Sequence, residues 1–206
     1  MIAGCNMDAD SYRTISSKIR NEIKIIDSHF IASAFLVSVK EEAEDIIKLV
    51  RKEFYDANHN CFAYRIGISG EVFKYSDDGE PSGTAGVKIF SAIQSKNISD
   101  ILVVVTRYFG GTKLGVGGLS RAYFDSAMSL LNKVNIVEKI LMEELRLKFP
   151  YDFTSQVMHT ISKYEAKVVD TIYEADVKII LNIRKRLTDS FKMELMDVCR
   201  GNVELA

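Results

Sequence analysis

The spacing of apolar residues divides the chain into two runs of elements. In the first, 12–19, 22–26 and 30–39 are rich in Ile, Val and Phe and predict strands. Residues 41–55 carry Ala43, Ile46, Ile47, Val50 and Phe54 at helical spacing, which predicts a helix with one buried face. The polar cluster 56–60 ends it. Segments 61–68 and 72–75 read as a hairpin, 76–84 as a long turn and 85–95 as a helix. Residues 100–108 read as a buried strand, 109–118 as a glycine loop, and 119–132 as a second helix with Leu119, Ala122, Tyr123, Ala127, Leu130 and Leu131 on one face.

The pattern then changes. Residues 141–149 read as a strand and 152–164 as a helix. Strands at 167–173 and 177–183 follow, then a helix at 187–199 with Gly201 at its C-cap position, and a last short strand at 202–205. The order βαββαβ within this length is that of a ferredoxin-like domain. The expected class is therefore α+β, with domains at 1–138 and 139–206.

Composition narrows the picture by exclusion. Of 206 residues, 47% are hydrophobic and 27% charged, which rules out wholesale disorder. No apolar run approaches the roughly 18 residues of a membrane span, and the first residues, with Asp8 and Asp10, do not read as a secretory signal. The expectation is a cytoplasmic protein without a membrane partner. Before residue 140 there are 17 basic and 17 acidic residues, and after it 10 and 11, so any nucleic-acid contact must be a local patch. Cys5, Cys61 and Cys199 are odd in number and far apart, which argues against disulfides, including one to a partner. Three histidines form no dense zinc pattern, and neither a metal nor a cofactor is expected.

Chemistry concentrates in two glycine clusters, each feeding a helix. Gly110, Gly111, Gly115, Gly117 and Gly118 lie between strand and helix, with Arg107, Lys113 and Arg121 around them. Helix N-termini leave backbone N–H groups unpaired and carry partial positive charge, and glycine permits close approach, so this loop reads as an anion site. Neither the G-x-x-x-x-G-K-[ST] string nor a complete G-x-G-x-x-G is present, since Ser120 stands where the third glycine belongs. The competing reading is that these glycines serve turning and close packing alone. A positive φ is among the reasons that Gly117 would be needed.

The other cluster holds Asp77, Asp78 and Glu80, then Ser82 and Thr84. The carboxylates could hold Mg²⁺ beside a phosphate, or they could bond backbone N–H groups and fix the turn; Ser82 or Thr84 is expected to cap the following helix. His59 and Cys61 share one face of a strand. They could form a nucleophile pair or begin a metal site, or Cys61 could be a buried core residue. The run 184–186, Arg-Lys-Arg, reads as a solvated strand end or a nucleic-acid contact.

Three ordered motifs carry a resemblance. Residues 108–123, YFGGTKLGVGGLSRAY, closely resemble the signature of the IMPACT/YigZ family. Residues 77–86, DDGEPSGTAG, and 57–64, ANHNCFAY, are similar to two further family motifs. Departures are His29, where members often carry a basic residue, and Val87-Lys88, where many have an x-Pro pair. The resemblance implies an N-terminal domain like the second domain of a small-subunit ribosomal protein. It implies a C-terminal ferredoxin-like domain like the last domain of elongation factor G. It also implies a role in translation or its regulation, although the eukaryotic relatives tied to the general-control kinase pathway carry an extra domain that this chain lacks. The leading expectation is a non-enzymatic protein binding RNA or the ribosome through Arg107, Lys113, Arg121 and the glycine-loop amides. Two alternatives stand beside it: an enzyme acting on a phosphorylated small molecule at the same loops, and a protein-interaction module. Loops facing each other across a pocket would favour the enzyme, and a flat basic surface would favour nucleic acid.

Overall fold

A computed structural model describes residues 10–205. Within them the chain separates into two compact units, one spanning 12–139 and one made of 140–205 together with residues 10 and 11.

The larger unit contains β1 (Ser11–Ile15), β2 (Ile19–Ile25), β3 (Ser28–Leu36), α1 (Lys40–Glu53), β4 (His59–Ile66), β5 (Val72–Ser76), α2 (Gly86–Ser95), β6 (Ile101–Tyr108), α3 (Gly115–Leu131) and β7 (Ile136–Ile140). Five strands form a sheet in the order β2-β3-β6-β4-β5, every neighbouring pair antiparallel. The continuous apolar run of β6 is explained by its position: it is the central strand and is covered on both faces. Successive side chains point to opposite faces. Val103 and Val105 join Phe30, Ala32 and Cys61 under α2 and α3, whereas Leu102 and Val104 join Phe62 and Tyr64 under α1. Helix α1 meets this second face with Ala43, Ile47 and Val50, the stripe its periodicity predicts.

Strands β1 and β7 pair with each other. Next to them, Asp100 adopts a positive φ of 53° and is almost wholly buried. Its carboxylate accepts hydrogen bonds from the Gly67 N–H at 3.0 Å, from the Tyr12 hydroxyl and from Lys139 Nζ at 3.4 Å. Tyr12 opens the unit and Lys139 closes it, so one carboxylate holds both ends.

The smaller unit runs β8 (Met142–Phe149), α4 (Thr154–Lys163), β9 (Lys167–Tyr173), β10 (Val177–Arg184), α5 (Thr188–Val198) and β11 (Glu204–Leu205). Its sheet has the order β11-β8-β10-β9 and is antiparallel throughout. Val177, Ile179, Leu181 and Ile183 alternate into a core shared with Val157, Ile161, Phe191 and Leu195 of the helices. Asp10 belongs here: it pairs with Arg184 at 3.1 Å and Arg186 at 3.5 Å.

Three boundaries differ from the sequence reading. The expected first strand, 12–19, is two strands parted by a bend at 16–18. Strand β7, in a stretch where the pattern predicts no element, exists because β1 supplies its partner. Helix α3 begins at Gly115 rather than Leu119, so Gly115, Gly117 and Gly118 lie in its first turn and not in a loop. Cys5, singled out above, lies outside the described residues.

Candidate anion-binding pocket

The turn between β5 and α2 is built around one side chain. Asp77 Oδ1 accepts the N–H groups of Ala85 at 3.0 Å and Gly86 at 2.8 Å, and Oδ2 accepts that of Gly83 at 2.9 Å. The amino end of α2 is thus capped from nine residues upstream. Ser82 makes no such bond and Thr84 donates to the Pro81 carbonyl at 2.6 Å, so neither is the expected cap. Gly86 is fixed by close approach, since a Cβ there would stand 2.6 Å from the Ser76 nitrogen. Asp78 accepts the Asn60 N–H at 2.7 Å and Arg51 at 2.5 Å. Both aspartates are spent inside the protein.

Glu80 turns the other way, into the space between the sheet and α3. Register explains what it meets. Arg107 on β6 lies opposite Phe30 on β3 and His59 on β4, forming one cross-strand row. Tyr123 descends from α3 and meets Phe30 edge-on at 5.3 Å. Glu80 Oε1 accepts from Arg107 Nη1 at 2.7 Å and from the Tyr123 hydroxyl at 2.8 Å. The guanidinium lies between the rings of Phe30 and Phe109, at 5.5 and 5.3 Å. Arg107 Nη2 reaches Ser28 Oγ only at 3.4 Å, and Nε is buried without a partner. Arg107 is therefore 6% exposed. It is not a cation of the outer surface, because β6 is central and its last residues are still flanked by β3 and β4.

His59 Nδ1 lies 2.9 Å from the Asp78 carbonyl oxygen. A carbonyl can only accept, so Nδ1 carries the proton and Nε2 is left to the pocket. Nε2 stands 3.9 Å from Glu80 Oε2. Cys61 is fully buried and donates its thiol to the Asp77 carbonyl at 3.0 Å. Burial pushes that thiol far above its ordinary range, and a neutral buried thiol is no nucleophile. Burial, with Cys61 and Glu80 beside it, likewise holds the Tyr123 phenol neutral.

The second glycine segment is built differently. A Cβ on Gly110 would fall 1.9 Å from the Asp27 carbonyl oxygen, so this residue is set by contact with the β2–β3 turn. Phe109 N–H donates to Asn58 Oδ1 at 2.7 Å and Thr112 Oγ1 to Asp27 at 3.0 Å. Gly115 opens α3 with φ 71°, a conformation that favours glycine. No side chain caps this helix and its first turn holds no acid. At Gly117 φ is not positive and nothing lies within 4 Å of a Cβ, so neither strain nor packing requires glycine there.

Both segments line one cavity of about 460 Å³, with Asn58, His59, Glu80, Arg107, Lys113 and Gly115 in its wall. Of the residues singled out in the sequence, the structure gathers His59, Glu80, Arg107, Lys113 and Gly115. Asp77 and Thr84 are engaged inside the turn, and Asp78 is engaged by Asn60 and Arg51. Ser82, Gly110, Gly111, Gly117, Gly118 and Arg121 are exposed and do not line the cavity. Tyr123 and Asn58 were missed as functional residues. Tyr123 stood on the apolar face of its helix, and a phenol there carries a polar tip that needs a partner when buried. Among the described residues, no cluster of three or more His, Cys, Asp or Glu could hold a metal ion, and no helix is long and apolar enough to cross a membrane.

Comparison with known proteins gives the chain its family. The family described as the Impact N-terminal domain matches residues 26–131, which include every residue of the cavity wall. A domain of unknown function matches residues 147–202. The chain is 34% identical over 195 residues to the IMPACT family member YvyE of Bacillus subtilis, covering 95% of this chain and 90% of that protein. It is 29% identical to the IMPACT family member YigZ of Escherichia coli over 88% of this chain and 90% of that one. A solved structure titled only as a hypothetical protein superposes with a TM-score of 0.69 at 28% identity, covering 96% of this chain and 97% of its own. The chain belongs to the IMPACT family, as a two-domain member of the bacterial kind.

Proposed function

We propose that the protein binds a phosphate-bearing ligand in the pocket between its two glycine segments. The phosphate would sit at the amino end of α3, against the amides of its first turn and the Lys113 ammonium, with the Arg107 guanidinium beneath. One observation carries this reading: a buried arginine with an unpaired Nε lines the same cavity as an uncapped helix N-terminus. Buried N–H groups normally find a partner, and a helix N-terminus favours an anion. A cavity of this volume suits a ligand of nucleotide size.

RNA or ribosome binding in translation is the second reading, supported by Lys113, just before α3, and Arg121, in its second turn, both standing exposed. The burial of Arg107 removes one of the three cations that reading relied on. The shared cavity favours a small phosphorylated ligand over a flat basic surface, and the exposed cations count against a purely structural role for the glycines. On the same footing we read the smaller unit, from its βαββαβ order, as a ferredoxin-like domain, the larger as similar to the second domain of a small-subunit ribosomal protein, and the domain boundary as near 138.

Calorimetric titration with inorganic phosphate and a nucleoside monophosphate, at low and raised salt, tests the reading. Affinity should fall as salt rises, and Lys113→Ala should weaken it about tenfold with unchanged circular dichroism. Salt-insensitive binding that is unaffected in the folded Lys113→Ala protein would refute the site.

A further inference from the structure

Two atoms of the pocket wall stand close together and receive no hydrogen bond from the protein. Glu80 Oε1 takes both the Arg107 and the Tyr123 bonds, and Oε2 takes none, although the side chain is only 4% exposed. With the Asp78 carbonyl holding a proton on Nδ1, the neutral form of the His59 ring presents a lone pair at Nε2. The two acceptors are 3.9 Å apart and both residues line the cavity. That separation is too long for a bond between them. It is short enough for one ligand atom to lie within hydrogen-bond distance of both. A group with two N–H donors satisfies both acceptors at once. A carbonyl in the same place would set an acceptor against a carboxylate and an imidazole lone pair.

We propose that the pocket selects a phosphate-bearing ligand that also carries an amino group, received between His59 Nε2 and Glu80 Oε2. The proposal rests on the phosphate-site reading above and deepens it from a charge class to a substrate class. Nucleobases with an exocyclic amine have the required donors, and their carbonyl counterparts present an acceptor at the equivalent position. Arg107 and Tyr123 act as positioning residues: by occupying Oε1 they turn Oε2 toward the ligand.

The test uses matched pairs at about pH 8. Adenosine monophosphate is compared with inosine monophosphate, and cytidine monophosphate with uridine monophosphate, by calorimetry on the full chain. Inorganic phosphate is titrated alongside. The amino member of each pair should bind at least about tenfold more tightly. His59→Ala, checked for folding by circular dichroism, should lower that ratio in both pairs. Lys113→Ala should weaken all four nucleotides and keep the ratio. Equal affinity within each pair, with inorganic phosphate still bound, would overturn the amino-group proposal and leave the phosphate site standing. Failure of inorganic phosphate and all four nucleotides to bind would overturn both.

Discussion

The two glycine segments look alike in sequence and are opposites in construction. Each links a strand to a helix and each is rich in glycine. In the first, the chain supplies its own anion: Asp77 places a carboxylate on the amino end of α2 and engages three backbone N–H groups. In the second, α3 begins without a capping side chain or an acid in its first turn, and Lys113 adds a further positive charge. A helix N-terminus attracts negative charge in either case. What differs is whether the charge is built in or left to come from outside. The first segment is closed, and its remaining acid, Glu80, is aimed across the gap at Arg107, the residue that leads into the second.

That cross-link is where the largest effect is expected. Arg107→Leu leaves the Glu80 carboxylate buried without its cation and should cost about 3–5 kcal/mol in urea unfolding. A cost below about 1 kcal/mol, the range of a surface pair, would mean that the segments are not tied through this pair. Asp77→Ala should cost about 2 kcal/mol by uncapping α2, and millimolar phosphate should not restore the loss. Rescue by phosphate would make the closed segment a ligand site too and erase the contrast.

Cys61, whose thiol is held on the Asp77 carbonyl, gives a pH test of the closed segment. Burial raises its folded-state affinity for the proton and that of Tyr123. The unfolded chain releases those protons first, so stability is complete below the ordinary thiol range and falls as pH rises above about 9. Denaturation series between about pH 8 and 10 should show a shallower fall in Cys61→Ala, by up to about 1.4 kcal/mol per pH unit. An identical slope would mean that the thiol ionises freely in the folded protein. The smallest change in stability is expected at Gly117→Ala. No atom blocks the methyl, so folding should be unaffected or favoured by up to about 1 kcal/mol. A loss of more than about 1 kcal/mol in urea unfolding would mean that this turn is packed more tightly than its surroundings indicate.

Most elements of the fold could be read from periodicity because they bury one face: α1 and β10 show stripes that match their cores residue by residue. What could not be read depended on partners distant in sequence. Strand β7 lies in a stretch where the pattern predicts no element, and it forms because β1 pairs with it. The start of α3 was placed at its first buried residue, Leu119, although the preceding turn is helical and exposed. The site divided in the same way. Glycines, Lys113 and His59 announce themselves locally. The burial of Arg107 follows only from β6 being central, and the role of Tyr123 only from Glu80 arriving beneath it. Asp77 and Glu80 are near neighbours of like charge, and nothing local tells which one caps a helix and which one faces the cavity.

The carboxylate of Asp100 has a consequence for inheritance. By gripping Tyr12 and Lys139, and with β1 lying along β7, it brings the entrance and exit of the larger unit together. A segment whose ends meet can be lifted out of one chain and spliced into another through a short connection, without disturbing its interior. It can also be rejoined end to end and reopened at an exposed tip such as the β4–β5 turn. The unit that holds the pocket is thus a cassette, one that recombination can move among proteins of different length while its interior travels intact.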